Sequence, residues 1–409
     1  MIVGLLWFVG GFNYLTRLML TTMHGSIVHA IPMTESQFGS LTSVFLVVYG
    51  CLSPVAGFMA DRFSRSRVII ISMIAWSAIT WLTGYARTFE QLLIMRAIMG
   101  VSEACYLPAA LALITDYHRG STRSFAIGVH MTGISLGSAL GGLGGWLADH
   151  KSWSFAFNAV GLVGIGYGLV LVLFLRDAPR EQGAFPLTVA ESPTRFWAGI
   201  VSLFSRGAFI LTLLFWGLMG FVGWVVSGWM PTYFHEHFHL SQGAAGFQST
   251  GYAQFAGLFG MLFGGWWADR WSRTQPRARI FVPAIGLCIA APAIVLTAHS
   301  DLLTLAIVGM TAHAFFRNFT DSNMMPILCM VSDPRYRATG YGVMNCFSCL
   351  VGGVAVFAGG YLRDAHVDLS HIFMFAAGSM LVCVALVLMV KPIPEADVLP
   401  AEELGVPVQ

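Results

Sequence analysis

Five ionisable residues stand inside otherwise apolar stretches: Arg17, Arg96, Glu103, Arg317 and Asp321. An ionised side chain in hydrocarbon costs about 2.5–3.5 kcal/mol even on the most lenient scale, so each needs a partner or a wet cavity. Arg17 shares a helical stripe with Asn13, Thr21 and His24, at steps of three or four residues. No acid lies within four residues of it, and its planar fork of donors suits a carboxylate or phosphate. Either Arg17 awaits an anionic ligand, or it pairs with an acid from another helix. Arg96 and Glu103 lie on one face but about 10.5 Å apart along the axis, too far to bond directly. Glu103, in an apolar wall, is the leading candidate proton carrier, with Arg96 beside it; a permanent partner is the alternative. Arg317 and Asp321, at i and i+4, are spaced to pair within their own helix. Such a pair either neutralises itself or opens on protonation of Asp321, freeing Arg317 for substrate.

Neutral polar and aromatic residues extend the candidate substrate-binding set: Tyr49, His130, Gln248, Tyr252 and Asn345, with Asn13, Arg17 and Arg317. Trp229 and Tyr233 are expected instead as anchors at the membrane interface. The run His235-Glu236-His237-Phe238-His239 lacks closing ligands, so no metal is expected there and the run reads as a solvated loop. Cys346 and Cys349 form a CxxC inside a hydrophobic run, which reads as packing rather than redox chemistry. Nothing in the sequence cradles phosphates, so neither ATP nor another cofactor is expected.

The elements that must position these residues follow from composition. Of 409 residues, 56% are apolar and only 10% are charged. Soluble domains carry about 25% charge, so this chain has too little to coat a surface facing water. A net charge of +2 gives no field for nucleic acid. A crossing helix needs about 20 mostly apolar residues. Cuts at charged or turn-rich breaks give twelve such spans: 2–26, 37–60, 68–86, 90–115, 123–148, 153–175, 207–234, 243–268, 279–298, 302–329, 337–362 and 371–390. The chain thus divides into an N-terminal six-helix bundle (1–175), a linker (176–206), a C-terminal six-helix bundle (207–391) and a tail (392–409). The gaps after even-numbered spans, with the tail, hold sixteen arginines and lysines; the opposite gaps hold three, Arg87, Lys151 and Arg363. The positive-inside rule therefore places both termini and the linker in the cytoplasm.

The halves echo each other. Gly-Phe-Met-Ala-Asp-Arg-Phe-Ser-Arg at 57–65 matches Gly-Trp-Trp-Ala-Asp-Arg-Trp-Ser-Arg at 265–273. Arg-Ser-Phe-Ala-Ile-Gly-Val at 123–129 aligns with Arg-Ala-Thr-Gly-Tyr-Gly-Val at 337–343, and Gly-Gly-Trp-Leu-Ala-Asp at 144–149 with Gly-Gly-Tyr-Leu-Arg-Asp at 359–364. The offsets, 208, 214 and 215, imply two bundles of equal topology about an axis along the membrane normal.

With the loop Gly57-x3-Asp61-Arg62-x2-Arg65, its copy Gly265-x3-Asp269-Arg270-x2-Arg273 and Arg96-x3-Gly100, the chain resembles the major facilitator superfamily over essentially its whole length. The resemblance implies an all-α membrane protein of twelve helices in two pseudo-symmetric bundles, a transporter rather than an enzyme. It also implies that Asp61, Arg62, Arg65, Asp269, Arg270 and Arg273 form latches that hold the outward-open state; a topology signal with helix-capping Asp residues is the alternative. Asn13-Tyr14-Leu15-Thr16-Arg17 and Arg96-x6-Glu103 resemble the first and fourth helices of the anion:cation symporters, with spinster-like carriers next. Thr16 replaces the acid usual before that arginine, so a proton site is missing there. Gly137-Ser138 lacks the Gly-Pro typical of drug and proton antiporters. The expectation is a monomeric secondary transporter in a bacterial-type inner membrane, surrounded by lipid. It would move a small organic anion, such as a sugar acid, by alternating access with a proton, or alternatively sodium, as coupling ion. Export of a lysolipid or drug-like amphiphile is the competing expectation.

Overall fold

The computed structural model describes residues 1–118, 123–178, 193–333 and 336–391, apart from the side chains at 54–55, 57–62, 123–125, 193–196, 198 and 338. Among the described residues every regular element is helical. Hydrocarbon offers no water to peptide groups, so a crossing segment must close its own hydrogen bonds. Span 1 is α1 (Ile2–Thr22) with α2 (His24–Ala30), span 2 is α3 (Glu35–Arg62) and span 3 is α4 (Arg65–Thr83). Span 4 is α5 (Phe89–Ala104) with α6 (Tyr106–Tyr117), span 5 is α7 (Arg123–Ala139) with α8 (Gly142–His150), and span 6 is α9 (Trp153–Phe174). The expected linker contains α10 (Pro193–Phe204). Span 7 is α11 (Gly207–His237); span 8 is α12 (Gln242–Gly246), a π-helical turn (Phe247–Gly251) and α13 (Tyr252–Ser272). Spans 9 to 12 are α14 (Ala278–His299), α15 (Leu303–Arg317) with α16 (Phe319–Val331), α17 (Arg337–Asp364) and α18 (Leu369–Met389).

Ten of these crossings are long and apolar enough to span a membrane by length and composition alone. Spans 8 and 10 do not qualify, which corrects the simple count of twelve. Both are helical where expected, but polar residues interrupt them: Gln248, Thr250 and Gln254 in one, Arg317, Asn318, Asp321 and Asn323 in the other. The helix breaks bring their own partners. Thr22 Oγ1 donates to Gly141 O (3.0 Å) and accepts from Gly145 N (3.1 Å), closing the break between α7 and α8.

Glycines let the helices approach closely. A Cβ on Gly137 would lie 1.9 Å from Gly11 O, so α1 and α7 touch backbone to backbone. Between the halves, α3 and α17 run together: a Cβ on Gly39 would lie 2.7 Å from Val356 O, and one on Gly50 2.8 Å from Cys349 Cβ. One apolar core joins both halves near the loops that hold few arginines, through Met19, Met23, Ile27 and Phe38 against Trp229, Met230 and Phe234. A second lies almost wholly in the first half, around Phe45, Trp76, Tyr106 and Leu113. The α6 and α16 segments, which lead toward the arginine-rich loops, pack mainly within their own halves. The seam is therefore closed at the arginine-poor end, where one core spans both halves. Exposed Leu162, Leu169 and Leu173 on α9 and Phe375, Leu381 and Met389 on α18 form the apolar face that lipid covers.

Gly137→Ala is expected to cost about 1–3 kcal/mol, because the new methyl overlaps a backbone that cannot retreat. Gly166, with nothing within 4 Å of its added Cβ, is the control. Thermal unfolding in detergent should show a lower midpoint for Gly137→Ala and an unchanged one for Gly166→Ala; equal midpoints would contradict the close contact.

Candidate substrate and coupling site

Arg17 is only 4% exposed, and it has a counter-charge. Its Nη2 donates to Glu103 Oε2 at 2.8 Å, with Nε at 3.2 Å from the same oxygen, and Nη2 also donates to Asn13 Oδ1 at 3.1 Å. Glu103 lies in the last turn of α5, just before the break at Cys105. The rings of Tyr14, Tyr49 and Phe45 stand 4.6, 4.7 and 4.9 Å from the guanidinium carbon. Arginine tolerates such an enclosure because its flat ion is weakly hydrated and stacks on aromatic faces. An Arg17 without a permanent counter-charge is therefore corrected: its acid comes from span 4, where helical spacing within span 1 could not reveal it. Thr16, in the position of the missing acid, donates to Phe12 O and Asn13 O of its own helix.

Among the described residues, Arg96 is a buried cation without a hydrogen-bonded carboxylate. Its Nε donates to Leu41 O at 3.3 Å and its Nη1 to Met99 Sδ at 3.2 Å, while Nη2 has no hydrogen-bond partner. The guanidinium carbon sits 4.9 Å from the Phe45 ring centre, so Arg17 and Arg96 share that ring.

In the second half Arg317 Nη1 donates to Asp321 Oδ2 at 3.1 Å across the break at Asn318. These side chains keep 21% and 24% of their surface exposed, far more than Arg17 and Glu103. His313 is held apart from the pair by Ala290 O, 3.2 Å from its Nδ1. Tyr341, on α17, is 45% exposed.

The other expected residues are dispersed. Tyr49 and Asn13 belong to the Arg17 cluster. Gln248 is half-buried in the π-helical turn, Asn345 is half-buried on α17, and Tyr252 is 53% exposed. His130 is fully buried against Gly10 and Tyr106, out of reach of a ligand in this state. Trp229 and Tyr233 are not interface anchors: they are 1% and 5% exposed and donate to Val356 O and to Thr297 and Ala298 O. His235, Glu236 and His237 continue α11 rather than forming a loop. Tyr14, Phe45 and Tyr341 were missed as site residues; Tyr14 had a signal, three residues before Arg17, whereas Phe45 and Tyr341 arrive only through packing.

Of the expected latch residues, the side chains of Asp61 and Arg62 lie outside the described residues. Arg65 pairs with Asp116, and Asp269 with Arg279 at 3.0 Å, each within its own half. Arg270 and Arg273 are exposed. Near Arg65, burial disfavours the charge of Asp177, but hydrogen bonds from Ser64 and Ser66 outweigh it and hold that carboxyl below the usual carboxylate range.

The model of the Major Facilitator Superfamily matches residues 6–355. The chain belongs to this superfamily. It is a membrane transporter and not an enzyme. The protein spinster of Drosophila melanogaster is 25% identical over 365 residues, 86% of this chain but 59% of the fly protein, so the chain spans about three-fifths of that relative's length. A gallate transporter of Pseudomonas putida is 28% identical over 369 residues, covering 82% of this chain and 80% of that one. A probable sulfoacetate transporter of Cupriavidus necator is 25% identical over 431 residues, covering 99% and 96%. A crystal structure of a bacterial homolog to the human lysosomal transporter spinster, inward-facing and unoccupied, superimposes with a TM-score of 0.75 at 22% identity, over 95% of this chain and 94% of that one. At that identity the likeness shows the fold.

Removing one partner of a buried pair strands the other charge, at a cost of about 3–5 kcal/mol, whereas removing both is often neutral. Glu103→Ala is expected to lower the thermal midpoint strongly, and Arg17→Leu with Glu103→Leu to recover most of the loss. A double variant as unstable as the sum of its single changes would contradict the pairing.

Proposed function

We propose that the protein carries a small organic anion across the membrane by alternating access, coupled to a proton, with Arg17 and Glu103 as the coupled site. The carrying observation is the dry Arg17–Glu103 pair, 2.8 Å long and enclosed by three rings. Empty, the pair is neutral and Arg96 beside it adds one positive charge. Protonation of Glu103 alone strips Arg17 of its counter-charge next to a second cation, which costs several kcal/mol. An anion alone finds Arg17 already held by Glu103. Both together return the cluster to its resting charge, with the substrate carboxylate on Arg17 and the proton on Glu103. Coupling thus follows because the proton frees Arg17 for the anion, and the form loaded with the proton alone is disfavoured. Arg317 and Asp321 repeat the logic in a wetter setting, where Asp321 would release Arg317 for a second contact. The gallate and sulfoacetate carriers among the relatives support a small anion as cargo.

The setting proposed is a bacterial inner membrane, with both termini cytoplasmic, bundles at 1–175 and 207–391, and the motif loops acting as latches in the outward-open state. A second function is favoured by one observation: Arg17 is already saturated and covered by rings, as an aromatic-lined exporter of amphiphiles would have it, and spinster is among the relatives.

Proteoliposomes decide between them, with gallate and a lysolipid as probes. An imposed proton gradient is expected to drive gallate accumulation in the wild type. Glu103→Gln should lose roughly tenfold or more of that accumulation, the factor that 1.4 kcal/mol makes, while retaining gallate exchange; Arg17→Ala should lose both. If Glu103→Gln together with Asp321→Asn still accumulates gallate, neither acid is the carrier. Lysolipid movement without gallate movement would favour the exporter.

A further inference from the structure

Two carboxylates that the sequence repeat makes equivalent, Asp149 and Asp364, end α8 and α17. Each reaches the first turn of a helix in the opposite half. Asp364 Oδ1 and Oδ2 accept from Glu35 N and Ser36 N at 2.8 and 2.9 Å, at the start of α3. Asp149 Oδ2 accepts from Gly243 N at 2.7 Å, and Oδ1 lies 3.4 Å from Gln242 Nε2, at the start of the helix that runs through α12 into α13. The receiving helices match as well. Thr34 and Ser241 each accept from the third N–H of the turn, Gln37 N and Ala244 N, both at 3.2 Å. The first turns are thus served partly by their own caps and partly by a carboxylate across the seam, where negative charge meets the positive end of the helix.

Glycine permits both approaches. A Cβ on Gly145 would fall 2.6 Å from Gln242 O, and one on its repeat equivalent Gly360 2.2 Å from Glu35 O. Beside Asp364 the second repeat adds charge where the first has Ala148: Arg363 Nε stands 3.0 Å from Glu35 Oε2, its Nη1 and Nη2 donate to Glu236 at 3.0 and 2.9 Å, and His24 Nε2 lies 2.9 Å from Glu35 Oε2. On the other side Gln242 Nε2 donates to Ser26 Oγ at 2.6 Å.

We infer that Asp149 and Asp364 are paired positioning residues of the transport cycle, two symmetry-related cross-half helix caps that hold the arginine-poor end shut and must both release for it to open. They touch no candidate substrate or proton group and act through the helices they cap. Opening that end must draw α8 away from α12 and α17 away from α3, so both sets of bonds break together. The inference stands apart from the identity of the substrate and the coupling ion.

The test reads opening directly. Thr21, one turn beyond Arg17 toward the closed end and 3% exposed, takes a reporter thiol as Thr21→Cys. Its alkylation by a bulky membrane-impermeant maleimide is followed by mass spectrometry of the peptide that holds residue 21, which separates it from the seven native cysteines. Loss of one cap should raise the rate about fivefold, so Asp149→Ala and Asp364→Ala should each do so and the pair more. Asp149→Asn with Asp364→Asn keeps acceptors but removes charge, and should give roughly threefold. A merely structural role would lower the thermal midpoint and leave the rate alone. Should the Ala pair fail to fold, the Asn pair decides, and an alkylation rate equal to that of the unaltered carboxylates in the folded variants overturns the inference.

Discussion

A charge inside hydrocarbon must be compensated wherever it goes, and the buried contact between Arg17 and Glu103 is where this protein meets that demand most strictly. The guanidinium cannot face lipid, and water reaches little of it, so one carboxylate, one amide and three rings make its whole environment. These partners come from spans 1, 2 and 4, which fixes how the three helices of the first half lie against one another. Arg96 shows the other resolution of the same problem. With no carboxylate at hand it takes a carbonyl, a thioether and the shared face of Phe45. Two guanidiniums on one ring repel, and that repulsion favours keeping Glu103 with them.

Helix continuity is given up where polar groups are needed. The break after α5 follows Glu103 and the break after α15 follows Arg317, so in both halves the ionisable group sits where the backbone stops being regular. Span 8 loosens into a π-helical turn around Gln248. Such irregularity is tolerated at membrane depth only where protein or a water-filled cleft surrounds it, which is why these breaks lie on inward-facing elements while α9 and α18 run unbroken against lipid.

Much of the helical architecture was legible because lipid imposes simple rules: span lengths and a doubled loop motif need no tertiary information. The Arg317–Asp321 pair was legible for the same reason, since its members are one turn apart. The partner of Arg17 was not, because it lies 86 residues away and only the tertiary fold brings its long side chain to the guanidinium. Trp229 and Tyr233 misled because an aromatic residue near a helix end serves equally well at a bilayer surface or inside a seam between halves. The side chains of Phe45 and Tyr341 carry no local mark at all; their place depends on how neighbouring helices meet.

The bonds of this molecule fall into two groups that respond to different events. Arg17–Glu103 and Arg317–Asp321 each lie within one half, so in the proposed cycle rocking would leave them intact and a proton or a ligand would open them. The caps by Asp149 and Asp364 join the halves, so the proposed rocking would break them while a proton on Glu103 would not touch them. A transporter must nonetheless make one set depend on the other. The α3 helix is in contact with both. Its first turn receives Asp364, its Gly50 packs against Cys349 of α17, and Phe45 and Tyr49 cover Arg17. Glu35 and Tyr49 are about 21 Å apart along that axis, and between them the helix has no break. In the proposed cycle, opening the Arg17 pair would remove the guanidinium that Phe45 and Tyr49 cover, and a tilt of the unbroken α3 at that point would carry its capped first turn with it.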